Sequence, residues 1–220
     1  MARICKGVVV EFDFTVLDGA TLLFNTAKKL LSGYGIELDD KLEAKHLAGG
    51  NYQGGLAELF GKNSHAPEVV SAARELSSAF NAAVAEKSAS AVTVAFRNFV
   101  RALCDKDVKV VVATRGNPEA LAAAIGDSRV ITYGEVSTTY GSCKWDAWMR
   151  ACHKNGLHEM LTAAVTGSGF GVRAALVAGM SALGVMNDRV AWQDFGGADD
   201  VVNALDKKAS DIVLRMLKVH

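Results

Sequence analysis

Apolar residues follow two different spacings along the chain. Residues 7–12 form a short β-branched run that ends in acidic and loop-forming residues, which predicts a buried parallel strand followed by an acidic loop at residues 11–15. The spacing then becomes helical on both sides of a glycine-rich piece, residues 47–55. The helical positions are Leu22, Leu23, Ala27, Leu30 and Leu31, followed by Val69, Val70, Ala73, Leu76, Phe80 and Val84. The pattern predicts that residues 19–90 are a helical insertion that carries a flexible turn.

The rest of the chain alternates between strand-like and helix-like segments. The predicted strands are 108–113, 130–133, 163–166 and 183–185, and the predicted helices are 96–103, 118–125, 144–155 and 172–179. Asp199 and Asp200 are predicted to open a last amphipathic helix, because carboxylates suit the positive end of a helix dipole. This alternation predicts an α/β fold, a doubly wound parallel sheet with helices on both faces and with ligands at the carboxyl ends of its strands.

Composition narrows the class of protein. Hydrophobic residues make up 50% of the chain and charged residues 22%, which is ordinary for a soluble globular protein. The 24 Lys and Arg residues balance the 24 Asp and Glu residues, so we expect no nucleic-acid or membrane partner. The four cysteines form no CxxC pair, and no apolar stretch reaches the ~20 residues of a membrane span. We therefore expect a cytoplasmic protein with free thiols and without structural metal.

Four separated pieces fall at the ends of predicted strands. They are residues 11–18, residues 114–117, Lys144, and residues 166–180. Their order and spacing resemble the haloacid dehalogenase superfamily, in its β-phosphoglucomutase and phosphatase-like branch. That branch reads Asp-x-Asp-x-Thr/Val, then Ser/Thr, then Lys, then Glu-Asp-Ser-x-x-Gly-Val-x-Ala-Ala. The resemblance covers nearly the whole chain and implies a Rossmann-like core from residues 1–18 and 91–220, with a helical cap from residues 19–90.

The resemblance also implies roles for individual residues. In that family the first Asp attacks phosphorus, the second acts as acid and base, and Mg²⁺ bridges the nucleophile and the phosphoryl oxygens. Glu11 stands at the nucleophile position and Asp13 at the acid/base position, while Asp18 matches the residue at the hinge of the cap. The residues matched to phosphate or substrate binding are Thr15, Thr114, Arg115, Lys144 and Ser168.

Two positions depart from the family pattern. Glu11 replaces the nucleophilic Asp, and its extra methylene moves the carboxylate by more than about 1 Å, which in a positioned reaction costs on the order of 100-fold in rate. Thr166 and Gly167 replace the Glu-Asp pair that holds magnesium, which leaves Glu11 as the metal-facing carboxylate. We therefore expect a weakly active or inactive phosphatase-fold protein that binds a small phosphorylated ligand or a protein partner.

Two other interpretations stay open from the sequence. The first is an active phosphohydrolase or phosphomutase that uses Glu11 and Asp13. The second is a dinucleotide-binding module, because Gly167 to Gly171 follows a strand, opens a helix and precedes Asp188 by roughly 20 residues. Taken alone, Thr114 is typical of a helix N-cap and Lys144 of a surface charge. The sequence does not decide the oligomeric state.

Overall fold

The computed structural model describes residues 5–47, 51–134 and 145–219. Within these ranges six strands form one sheet in the order β3-β2-β1-β4-β5-β6, and every neighbouring pair is parallel. The strands are β1 (Gly7–Glu11), β2 (Lys109–Thr114), β3 (Ile131–Gly134), β4 (Thr162–Thr166), β5 (Ser181–Val185) and β6 (Asp200–Val202). The parallel sheet with flanking helices and a helical insertion confirms the predicted fold class.

The strand β1 lies at the centre of the sheet. All five of its residues are buried, because β2 and β4 cover its edges and helices cover its faces. In this register Val10 lies beside Val112 of β2 and Val165 of β4. The carboxyl end of β1 therefore lies between the carboxyl ends of β2 and β4.

Helices connect and cover the strands. They are α1 (Phe12–Thr15), α2 (Gly19–Ser32), α3 (Asp40–His46), α4 (Tyr52–Phe60), α5 (Pro67–Lys87), α6 (Val94–Cys104), α7 (Pro118–Ile125), α8 (Trp145–Lys154), α9 (Gly169–Val177) and α10 (Lys207–Met216). Among the described residues, no helix is both long enough and apolar enough to cross a bilayer.

The helices α2 to α5 come from the predicted insertion. Helix α5 packs against both α2 and α4, and most of the apolar positions that repeat at helical spacing become buried, whereas Leu22, Leu30 and Val70 are only partly buried. Examples of the buried positions are Leu23 and Leu31 in α2 and Leu76 and Val84 in α5. The division into a core of residues 1–18 and 91–220 and a cap of residues 19–90 stays a prediction.

The prediction for the last helix was wrong. Asp200 begins strand β6, and helix α10 starts only at Lys207, with the Asp206 side chain accepting a hydrogen bond from the backbone N–H of Ala209. Asp199 is bound to β5 instead, because its carboxylate accepts from the Ala182 N–H at 2.8 Å. Carboxylates ahead of an amphipathic run thus marked a strand start and not a helix start.

The glycine-rich piece was also only partly predicted. Residues 48–50 lie outside the described residues, but Tyr52 to Gly55 form the first turn of α4 and not a flexible turn. The Asn51 side chain caps this helix by accepting from the Gly54 N–H at 3.1 Å. Gly55 is required by close packing, since a Cβ there would overlap the carbonyl oxygen of His46.

Candidate active site

The end of β1 turns directly into a short helix. Glu11 is the last residue of the strand, and Asp13 lies in the single turn of α1 that follows. The residues 12–15 were predicted as a loop, so their helical turn is a correction. Its consequence is that the two carboxylates bond to different neighbours, Asp13 to the end of β2 and Glu11 to the end of β4.

Asp13 is fully engaged by the end of β2. The Thr114 hydroxyl donates to its Oδ1 at 2.6 Å, and the backbone N–H of Arg115 donates to its Oδ2 at 2.7 Å. Burial raises the pKa of Asp13, and these two hydrogen bonds oppose the rise. Thr114 in turn accepts from the backbone N–H of Gly116 at 3.0 Å, so the network continues into the next loop.

Glu11 is engaged by the end of β4. The Thr166 hydroxyl donates to its Oε2 at 2.5 Å, which lies in the distance range of O–H···O⁻ hydrogen bonds. Burial raises the pKa of Glu11 to about 7, opposed by Thr166, by the nearby Arg115 and by the backbone of Gly167. Near neutral pH this side chain is therefore partly protonated.

This pairing links the two departures from the family pattern. In the sequence they are separate departures, Glu11 in the first motif and Thr166 with Gly167 in the last. In the structure the Glu11 carboxylate accepts a hydrogen bond from the hydroxyl of Thr166, one of the two residues that the resemblance matches to the magnesium-binding pair. A shorter side chain at position 11 would withdraw the carboxylate by roughly one methylene. The two positions at which the sequence departs from the family pattern are therefore in direct contact.

The other replacement, Gly167, is fixed by packing. A Cβ at this position would overlap the backbone carbonyl oxygen of Phe14 and press on its side chain. The Phe14 ring is itself buried and lies 5.9 Å from the ring of Phe80 in α5. A carboxylate at position 167 therefore has no room unless α1 moves.

Arg115 lies at the junction between the sheet and the insertion. Its guanidinium carbon is 6.0 Å from the Phe14 ring centroid and 5.6 Å from the Phe80 ring centroid. Its charge lowers the pKa of both Glu11 and Asp13, against the larger effect of burial. Arg115 thus provides positive charge near the two buried carboxylates.

Two residues of the insertion were missed as parts of this region. Tyr52 is completely buried, burial raises its pKa to about 12, and the Arg115 charge opposes that rise. Phe80 was read only as a core position of a helix. One feature of the sequence could have indicated Tyr52. It is an aromatic residue in the glycine-rich piece, and it follows Asn51, a residue type that often caps helices.

The remaining predicted residues bond locally. The Thr15 hydroxyl donates to the carbonyl of Glu11 at 2.7 Å. Asp18 caps α2 by accepting from the Thr21 N–H at 3.1 Å. Ser168 is buried and caps α9 by accepting from the Gly171 N–H.

Lys144 lies outside the described residues. Thr114, which alone resembles a helix cap, bonds to Asp13, and the cap of α7 is Asn117.

The residues present do not fit a magnesium ion of the kind that the resemblance implies. Magnesium needs near-octahedral oxygen ligands, usually including one or two protein carboxylates. Both oxygens of Asp13 accept hydrogen bonds, and Glu11 Oε2 accepts from Thr166. Among the described parts of the chain, no three His, Cys, Asp or Glu side chains are grouped as metal ligands.

The glycine-rich start of α9 gives little access to a dinucleotide. The Gly169 N–H donates to Gln193 Oε1 at 2.9 Å, and the Gly171 N–H donates to Ser168. A Cβ at Gly169 would overlap the carbonyl oxygen of Asp194, so the segment after β5 lies directly against this turn. A pyrophosphate would have to displace this segment to reach these amides.

Solved structures share this architecture at low sequence identity. β-Phosphoglucomutase from Clostridium difficile has a TM-score of 0.71 at 16% identity, covering 98% of both chains. A phosphonoacetaldehyde hydrolase-like protein from Oleispira antarctica has a TM-score of 0.69 at 16% identity, over 99% of this chain and 97% of that one. CbbY from Rhodobacter sphaeroides, in complex with phosphate, has a TM-score of 0.66 at 17% identity, over 98% of this chain and 100% of that one.

The fold is therefore that of the haloacid dehalogenase superfamily. It is the fold of the solved β-phosphoglucomutase structures, as the resemblance implied. No protein-family model matches the sequence, and no curated protein matches it either.

Titration of Glu11 is expected to make stability depend on pH. Its pKa is about 7 in the folded protein against 4.5 for the free side chain, so its stabilising contribution is full below pH 4.5 and is lost as pH rises to about 7. Relative to Glu11→Gln, the wild-type free energy of unfolding should fall across this window by on the order of 3 kcal/mol. Urea unfolding of both proteins over a pH series measures the difference.

The matched control for the substitution itself is Glu86→Gln, at an exposed position of α5. If the difference in the free energy of unfolding between wild type and Glu11→Gln stays constant with pH, the raised pKa of Glu11 is contradicted.

The contact between Glu11 and Thr166 predicts energetic coupling. In a double-mutant cycle with Glu11→Gln and Thr166→Val, the free energies of unfolding should deviate from additivity by about 1 kcal/mol or more. A control cycle replaces Thr166→Val by Thr162→Val, because Thr162 is also buried in β4 but its hydroxyl donates to the carbonyl of His158. If the free energies of unfolding are as additive in the first cycle as in the control cycle, the contact between Glu11 and Thr166 is contradicted.

Proposed function

We propose that this protein is a non-catalytic ligand-binding protein built on the haloacid dehalogenase fold. The observation that carries the proposal is the state of its two strand-end carboxylates. Asp13 is bonded to Thr114 and Arg115, and Glu11 is bonded to Thr166, so each carboxyl group is hydrogen-bonded inside the protein. These groups hold the ends of β2, β1 and β4 together.

The chemistry of phosphoryl transfer explains why this arrangement opposes turnover. An attacking carboxylate needs an ionised, available oxygen, and the transferred group needs cations on its equatorial oxygens. Burial favours the protonated form of Glu11, and the donors at Thr166 and Gly167 bond its carboxyl group to the end of β4. We therefore propose that hydrolysis by an aspartyl-phosphate-like route does not occur.

The ligand that we propose is a small phosphorylated molecule, bound without being cleaved. Arg115 supplies a guanidinium between the strand ends and the insertion, where it lies over the rings of Phe14 and Phe80. The Thr114 hydroxyl and the Arg115 N–H already form an anion-binding pair, which the Asp13 carboxylate occupies. A phosphate group matches the same donors if Asp13 turns away.

A second candidate is a metal-independent hydrolase with Glu11 as general base. A pKa of about 7 suits proton transfer at neutral pH, and such a shift is common in catalytic carboxyl groups. This candidate needs a water molecule at Glu11 and a phosphoryl group held by Arg115.

One experiment with two readouts tests the proposal. The protein is incubated with inorganic phosphate and a panel of phosphomonoesters, with Mg²⁺ or with EDTA, and both the melting temperature and phosphate release are measured. We expect at least one of these compounds to raise the melting temperature, since a ligand of the native state stabilises it. We expect no release above that of a buffer blank.

Each other outcome contradicts part of the proposal. Magnesium-dependent release that Asp13→Asn abolishes would establish an enzyme of the ordinary type. Release that persists in EDTA and is lost in Glu11→Gln would establish the second candidate. An unchanged melting temperature with every compound would overturn the proposed ligand.

A further inference from the structure

A cleft of about 620 Å³ lies between the helical insertion and the segment that follows β5. Its lining includes the carboxylates of Asp18 and Asp40 on one side and of Asp188 on the other, with Glu43 also contributing. Arg189 is the residue that connects the two sides. It belongs to the 3-10 turn Asp188–Val190, whereas its partners lie in the insertion, 146 and 149 positions away in the sequence.

Three side chains of the insertion hold the Arg189 guanidinium. Its Nη2 donates to Asp40 Oδ1 at 2.8 Å and to Glu43 Oε2 at 2.9 Å, both in α3. The guanidinium carbon lies 3.6 Å from the ring centroid of Phe24 in α2, within the range of a cation–π contact. One arginine after β5 is therefore bound to two helices of the insertion at once.

The turn that carries Arg189 is itself held in place. The Arg189 N–H donates to Asn187 Oδ1 at 3.0 Å, and the Trp192 indole N–H donates to the Arg189 carbonyl at 3.0 Å. The arginine backbone is thus fixed from both sides before its side chain crosses the cleft. The contacts with the insertion therefore have only the long side chain to order, and not the backbone that carries it.

The contacts differ in strength because their burial differs. The Asp40 side chain is 83% exposed, so its ion pair contributes little. The Glu43 side chain is 9% exposed and that of Arg189 20% exposed, so this pair is largely shielded from solvent. Without the guanidinium, Glu43 would be a buried carboxylate without its cation, and it would regain water only if α3 moved away.

We propose that Arg189 is a latch that keeps the insertion closed over the strand ends without any ligand. The latch consists of Arg189, Glu43, Asp40 and Phe24. Closure by the protein's own arginine shields the Glu11 and Asp13 carboxyl groups and restricts the entry of ligands to the strand ends. The latch does not depend on whether that site binds or cleaves a ligand.

Hydrogen–deuterium exchange of the ligand-free protein tests the latch. In Arg189→Gln, we expect backbone amides of α2 and α3 to exchange about tenfold faster or more, while those of β1, β2 and β4 keep the wild-type rate. The control is Arg173→Gln, because the Arg173 guanidinium also covers an aromatic ring, at 4.7 Å, but that ring is Phe170 of its own helix. The control should exchange like the wild type in all these segments.

A second variant keeps the test decisive if Arg189→Gln folds poorly. Glu43→Gln removes the buried charge, leaves the exposed pair with Asp40, and should accelerate the same amides by a smaller factor. Wild-type exchange in α2 and α3 of both variants would overturn the latch. Equal acceleration in the sheet and in these helices would also overturn it, because Arg189 would then stabilise the whole fold and not the closure.

Discussion

Two buried carboxylates, Glu11 at the end of the central strand and Asp13 in the helical turn that follows, are satisfied by hydrogen bonds from the neighbouring strand ends. Burial of an ionised carboxylate is costly unless hydrogen bonds or a cation compensate it. Asp13 takes two donors from the end of β2, and Glu11 takes the Thr166 hydroxyl from the end of β4. The short helix α1 is what separates the two side chains so that each reaches its own strand.

The same requirement extends into the helical insertion. Arg115 brings positive charge from the β2 side and is covered by Phe14 and Phe80, which fill the space above the strand ends. At the other side of the insertion, the Arg189 guanidinium likewise lies over an aromatic ring, that of Phe24. Arginine is suited to both positions because its guanidinium keeps its positive charge while it stacks on rings, and the Arg189 guanidinium also bonds to two carboxylates.

Much of the fold and the position of the site could be predicted from the sequence. Alternating apolar segments give the strands and helices, and parallel strands bring their carboxyl ends to one edge, so Glu11, Thr114 and Thr166 were expected near one another. The bonds between them could not be predicted. The β1–β4 register, in which Val10 pairs with Val165, brings Glu11 beside Thr166, and no local pattern encodes that register.

Other failures have the same origin in long-range contacts. Strand β6 is three residues long, and its entry is fixed by Asp199 bonding to Ala182 across the sheet edge. Gly167 resembles a lost metal ligand in the sequence, whereas the structure shows a position where the Phe14 backbone leaves no space. In each case the local sequence leaves the structural role of a residue ambiguous, and a contact with a residue distant in the sequence determines that role.

The central claim is that the Glu11 carboxyl group is buried, bonded within the protein and not available to a metal ion. Its side-chain carboxyl carbon can be followed by ¹³C NMR through a pH titration, with and without Mg²⁺, and assigned by comparison with Glu11→Gln. The account predicts a pKa of about 7 that is the same in both titrations. A pKa near that of a free glutamate, or a titration curve displaced by Mg²⁺, would contradict it.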